Sequence, residues 1–120
     1  MVSRLDQRYL QVEQIGSVTV ITFNRSEFLD ETTIRLIGEQ LSRLAQASDR
    51  PRLVLNVGAV KKLSTMMLGH FITLHKKARA AGGRMVLCRL DPQLHEAFVM
   101  LRVGQLIPIY AEEQDALQAF

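Results

Sequence analysis

Tryptophan is absent and cysteine occurs once, so no internal disulfide can form and the fold must rest on packing alone. The single thiol, Cys88, sits inside the apolar run Met85-Val86-Leu87-Cys88 and reads as a buried, inert position. Long apolar runs are also missing; none approaches the ~20 residues of a membrane-spanning helix. The opening, Met1-Val2-Ser3-Arg4-Leu5-Asp6, lacks the apolar segment of a signal peptide. The expectation is a soluble cytoplasmic protein with no direct membrane insertion. Charge of one sign is scarce: 15 basic against 12 acidic residues leave a net charge of +3. That excess is scattered, whereas nucleic-acid binders gather it on one face, so no nucleic acid is expected as a partner.

Signatures of catalysis are lacking too. There is no Gly-rich phosphate loop and no Gly-x-Ser-x-Gly turn. His70, His75 and His95 form no metal-ligand pattern, and His70 and His75, five apart, do not share a helical ridge. Asp30 and Glu31 make a carboxylate pair only on paper, since helix capping accounts for both. The expectation is therefore a protein that is not an enzyme, with no catalytic residue, metal or cofactor.

What is present is regular patterning in a chain of 120 residues, the length of one domain over 1–120. Tyr9 to Gln14 and Val18 to Phe23 alternate around Gly16-Ser17, which predicts a β-hairpin. Asn24 to Phe28 reads as a polar loop. Asp30 then caps a helix with Ile34, Ile37, Leu41 and Leu44 on one stripe. Leu53-Val54-Leu55-Asn56-Val57, entered by Arg50-Pro51, is too short for a helix and suits a central strand covered on both faces. Leu68, Phe71, Ile72, His75 and Ala78 line a second helix that stops at Gly82-Gly83. A strand follows over Arg84 to Cys88. Asp91-Pro92 opens a third helix with Leu94, Ala97, Phe98 and Leu101 inward, Met100 in the core and Gly104 as its stop. A short strand over Ile107 to Tyr110 and a helix over Glu112 to Phe120 finish the chain. Strands alternating with helices predict an α/β fold with mostly parallel pairing, the helices all covering one part of the sheet.

The hydroxyl pair Ser64-Thr65 at the start of the second helix is the candidate site. One hydroxyl can be a plain N-cap, worth ~1 kcal/mol. Equally, a phosphate there would meet backbone N–H groups and the positive end of the helix dipole. Lys61 and Lys62 lie just before it. Met66 and Met67 follow, and methionine in the first turn serves either the core or an adaptable contact with a partner.

The pattern from Tyr9 to Leu117 resembles a STAS domain, the module shared by anti-sigma factor antagonists and the cytoplasmic tails of sulfate transporters. The residues that carry the resemblance are Leu29-Asp30, Leu53-Val54-Leu55-Asn56-Val57, Gly82-Gly83, Leu90-Asp91-Pro92 and Leu101-Arg102-Val103-Gly104. It implies a mixed β-sheet of four to five strands covered by about four helices. That family typically has Asp-Ser-(Ser/Thr)-Gly-Leu before the second helix and is phosphorylated on the hydroxyl after the Asp. Counting back from Gly82-Gly83 puts Ser64 on the Asp, Thr65 on the phosphorylated residue, Met66 on the second hydroxyl and Met67 on the Gly.

The resemblance thus implies a switch that binds an anti-sigma factor which is also a serine/threonine kinase. Phosphorylation of Thr65, with Ser64 as the alternative, would release that partner and so control sigma-factor-dependent transcription. Asp30, Lys61, Lys62, Ser64, Thr65, Met66, Met67 and His70 would form the contact surface. A phosphatase that resets the switch, and self-association, are both compatible with this reading. Two other roles in the family stay open: a phosphorylation-independent scaffold of a signalling complex, and an accessory subunit of a lipid-transport ATPase.

Overall fold

Two short amphipathic strands, Leu10–Ile15 (β1) and Val18–Phe23 (β2), pair antiparallel from Leu10↔Phe23 to Ile15↔Val18. The chain reverses at Gly16, whose φ of +61° is open to glycine at no steric cost. These are the first strands of the computed structural model, which describes residues 8–120; the opening segment Met1 to Asp6 considered above lies outside the described residues.

Beyond the hairpin the pairing is parallel. β2 pairs with Arg52–Asn56 (β4), β4 with Arg84–Cys88 (β6), and β6 with Ile109–Tyr110 (β7), giving the sheet order β1-β2-β4-β6-β7. A separate parallel pair joins Glu27–Phe28 (β3) to Lys62–Leu63 (β5). The helices are Glu31–Gln46 (α1), Thr65–Ala80 (α2), Pro92–Met100 (α3), Val103–Leu106 (α4) and Glu113–Leu117 (α5).

Side chains alternate across β2, β4 and β6, so the sheet has two apolar faces. Ile21, Phe23, Leu53, Leu55, Met85 and Leu87 meet α1, α2 and α3 on one face. Val18, Val20, Val54, Val86 and Cys88 meet Ala116 of α5 on the other. The expectation that every helix covers one part of the sheet is thereby corrected. Central strands buried on both faces require a cover on each, and α5 supplies the second.

Other boundaries move as well. β4 starts at Arg52 and ends at Asn56, although Val57 stays buried and its N–H donates to the Cys88 carbonyl at 3.2 Å. The Asn24 to Phe28 segment is not simply polar. Phe28 is buried and stands edge-on to Phe23, which is edge-on to Phe71 of α2, with ring centroids 5.4 Å apart in both pairs. Ala97, Met100 and Leu101 are exposed rather than core, because α3 ends at Met100 and its inward positions are Leu94 and Phe98. Arg102, at φ 58°, turns the chain there, and Gly104 lies inside α4 instead of stopping α3.

Candidate functional site

The β3–β5 pair sets the geometry around the candidate site at Ser64-Thr65. The N–H groups of Lys61 and Lys62 both donate to the Ser26 carbonyl, at 2.7 and 3.0 Å, and Ser64 N–H donates to the Phe28 carbonyl at 3.1 Å. With Phe28 anchored in the aromatic group below, the loop before α1 and the loop before α2 are held side by side. Asp30, the N-cap of α1, follows directly from that pinned loop. Its carboxylate accepts from Thr33 N–H at 2.9 Å, and bonds to Thr33 hold its pKa below the usual value.

Ser64 is the N-cap of α2. Its Oγ accepts from Met67 N–H at 3.2 Å, and its carbonyl accepts from Leu68 N–H at 3.1 Å. Thr65 is the first helical residue and is exposed, and its hydroxyl makes no hydrogen bond among the described residues. The two hydroxyls therefore have different duties: Ser64 satisfies the helix end, and Thr65 faces outward. Met66 beside it is 40% exposed. Met67 is fully buried, which removes it from the contact surface; it lies four residues before Phe71, on the inward stripe of α2.

Around this centre the charges are paired. Lys62 Nζ lies 3.8 Å from Glu27 Oε2. Lys61 Nζ bonds Asp91 Oδ2, while Asp91 Oδ1 accepts from Gln93 N–H at 2.9 Å and so caps α3. The lysine bond first, and the Gln93 N–H second, lower the pKa of Asp91. One lysine thus connects the loop before α2 to the start of α3. The Lys61–Asp91 pair was not legible in the sequence, where Asp91-Pro92 signalled only a helix start.

His70 stands apart from this group, on the side of α2 that faces α1. Its ring lies over Gly38 of α1, where a Cβ would come within 2.5 Å of it. The ring lines a groove of about 530 Å³ between the two helices, with Arg35, Ser42 and Lys77. Buried Asn56, at the end of β4, was also missed. Its amide donates to Glu113 Oε1 at 2.9 Å and accepts from Gly58 N–H at 3.0 Å, fastening α5 to the sheet. Among the described residues, no three His, Cys, Asp or Glu side chains are grouped so as to hold a metal ion. No helix among them is long and apolar enough to cross a membrane.

The family model of the STAS domain matches residues 9–116. The chain belongs to the STAS domain family. This STAS domain is 26% identical over 108 residues to an anti-sigma F factor antagonist of Paenibacillus polymyxa, covering 90% of this chain and 92% of that one. Among solved structures it is similar to an anti-sigma-factor antagonist (STAS) domain protein from Planctomyces limnophilus, with TM-score 0.81, 21% identity and coverage of 92% and 96%. It is also similar to SpoIIAA in its unphosphorylated form, with TM-score 0.76, 19% identity and coverage of 92% and 94%. Against Bacillus SpoIIAA in the phosphorylated form the TM-score is 0.70, at 20% identity and coverage of 92% and 97%. These likenesses show the STAS fold, with its mixed five-stranded sheet.

Proposed function

We propose that this STAS domain is a non-enzymatic binding switch of the anti-sigma factor antagonist type, with Thr65 as the residue that is phosphorylated. It would bind an anti-sigma factor that is also a serine/threonine kinase, and let go once Thr65 is modified. The observation that carries this reading is the division of labour at the start of α2. Ser64 spends its hydroxyl on the cap, so Thr65 is left exposed and unbonded at the first helical position. The N–H groups of the first helical turn and the helix dipole suit a phosphate there, so modification need not unfold the domain. It adds about −1.5 to −2 of charge beside Met66, on a surface that would otherwise receive an apolar contact. Lys61, Lys62, Asp30 and, more distantly, His70 complete the contact surface.

A second reading, a scaffold that binds without phosphorylation, is favoured by one specific feature. Ser64 stands where the family motif has Asp, and buried Met67 stands where it has Gly. One experiment separates the two. The partner is captured from the native cell extract and its affinity measured for wild type, Thr65→Ala and Thr65→Glu, with mass spectrometry for phosphate. The switch predicts phosphate on Thr65, weakened binding by Thr65→Glu at an unchanged thermal midpoint, and retained binding by Thr65→Ala. Equal affinity of all three, with no phosphate on Thr65 in the presence of a kinase partner, supports the scaffold and sinks the switch.

A further inference from the structure

The groove between α1 and α2 serves neither the cap of α2 nor the pinned loops beside it. Gly38 of α1 admits the His70 ring, and one turn further on Ser42 Oγ accepts from Lys77 Nζ of α2. The two helices therefore run side by side in the same direction. Leu41 and Leu74, one from each helix and both buried, give the groove an apolar floor. Its volume of about 530 Å³ lies within the roughly 300–1,000 Å³ of small-molecule sites. At a rise of about 1.5 Å per residue, Lys77 stands about 18 Å along the helix from Thr65, so that end is remote from the proposed switch.

The charges at the rim select the kind of molecule. Arg35, Arg43 and Lys77 border the groove against a single acid, Glu39. Arg35 is already answered by Glu31, at 3.2 Å. Arg43 and Lys77 form no ion pair among the described residues. With Glu39 set against them, one positive charge is left over. Arg43 comes from α1 and Lys77 from α2, so a head group lying between the helices meets a cation on each side. The hydroxyls of Ser42 and Thr73 add neutral hydrogen-bonding groups. An apolar floor with one surplus cation matches an organic anion, an apolar body carrying one acidic head. A neutral ligand would leave the surplus charge unanswered, and a polyanion would be opposed by Glu39.

We propose that the α1–α2 groove is a binding site for a small organic anion. Its apolar body lies on Leu41 and Leu74, and its carboxylate or phosphate head between Arg43 and Lys77. Nitrogen-15 NMR titration of the full chain with 4-phenylbutyrate and with phenyl phosphate tests it. At least one probe should shift the Ser42, Thr73 and Lys77 amides saturably, with a Kd of about 1 mM or tighter. Whichever probe does so names the head group. Lys77→Gln and Arg43→Gln, one on each helix, should each weaken binding about fivefold or more. Lys76→Gln removes the same charge from α2 outside the groove and should leave binding unchanged. The same spectra report folding, and if one groove variant fails to fold the other carries the comparison. Absence of saturation with both probes would overturn the proposal, as would an equal loss in Lys76→Gln. Equally tight binding of 4-phenylbutan-1-ol would overturn it because the charge would not be read. Equally tight binding of inorganic phosphate would do so because the apolar floor would contribute nothing.

Discussion

At the scale of single residues, burial decides the chemistry of the histidines and the cysteine. His75 is buried on α2, and its Nδ1 has no hydrogen-bond partner. Loss of water, and then the charges of Arg79 and Lys76, push its pKa below 6.5. The native ring thus takes up a proton only at lower pH than the unfolded chain, which does so near pH 6.5. The stability tied to the neutral ring is complete above that pH and falls away as pH drops through it. Urea unfolding curves should therefore move to lower midpoints between pH 7 and pH 5, and His75→Leu should remove most of that movement. A midpoint that is flat in the wild type over this range would contradict the account. Asp30 and Asp91 act in a separate window. Their pKa values are lowered from 3.8, so their contribution is lost only as pH falls below that value.

At the scale of elements, two adjacent glycines have different tasks. Gly82 ends α2 in the left-handed region, at φ +80°, with Arg50 nearby only at ordinary contact distance. Gly83 is a matter of space instead. A Cβ on it would lie 2.0 Å from the Pro51 carbonyl oxygen, the atom that receives the Arg84 N–H bond at 2.7 Å as β6 begins beside β4. Gly82→Ala should cost about 1–2 kcal/mol for the left-handed conformation. Gly83→Ala should cost about 3 kcal/mol or more, because backbone rather than a side chain has to move. Denaturant titration of the two variants checks the order, and a milder Gly83→Ala would show that β4 and β6 can separate at that end. Both glycines were legible as a helix stop, but the close approach to Pro51, 32 residues earlier, was not.

At the scale of the whole molecule, the second face of the sheet depends on one short cover. α5 has five residues, yet Val54, Val86 and Cys88 beneath it are fully buried. Burial, followed by Glu113, pushes the Cys88 thiol up to about 12, so little thiolate exists at neutral pH. In the intact chain, Cys88 should react with an aromatic disulfide reagent only as fast as the protein opens. Removing residues 112–120, or placing a charge beneath the helix with Ala116→Glu, should speed this reaction and increase binding of a hydrophobic dye. Unchanged labelling in both variants would mean that α5 is not what closes this face.

Local order was determined by the sequence itself. Alternation over β1 and β2, the stripe of α1, the caps Asp30, Ser64 and Asp91, and the run that becomes β4 all report backbone geometry over a few residues. Helical spacing also put Met67 in line with Phe71, Leu74 and Ala78, a signal that outweighs its place in the family motif. Tertiary structure alone decided the rest. β4 and β6 are apolar on both faces, so their pattern holds no information on which face a helix takes, and the side chosen by α5 could not be read. The Lys61–Asp91 bond joins residues 30 apart, and the β3–β5 pair consists of two-residue strands, too short for a period to show. The exposure of Met100 and Leu101 follows from where α3 stops: Arg102 turns the chain two residues after the end of that helix, and Val103 is the side chain that goes back into the core.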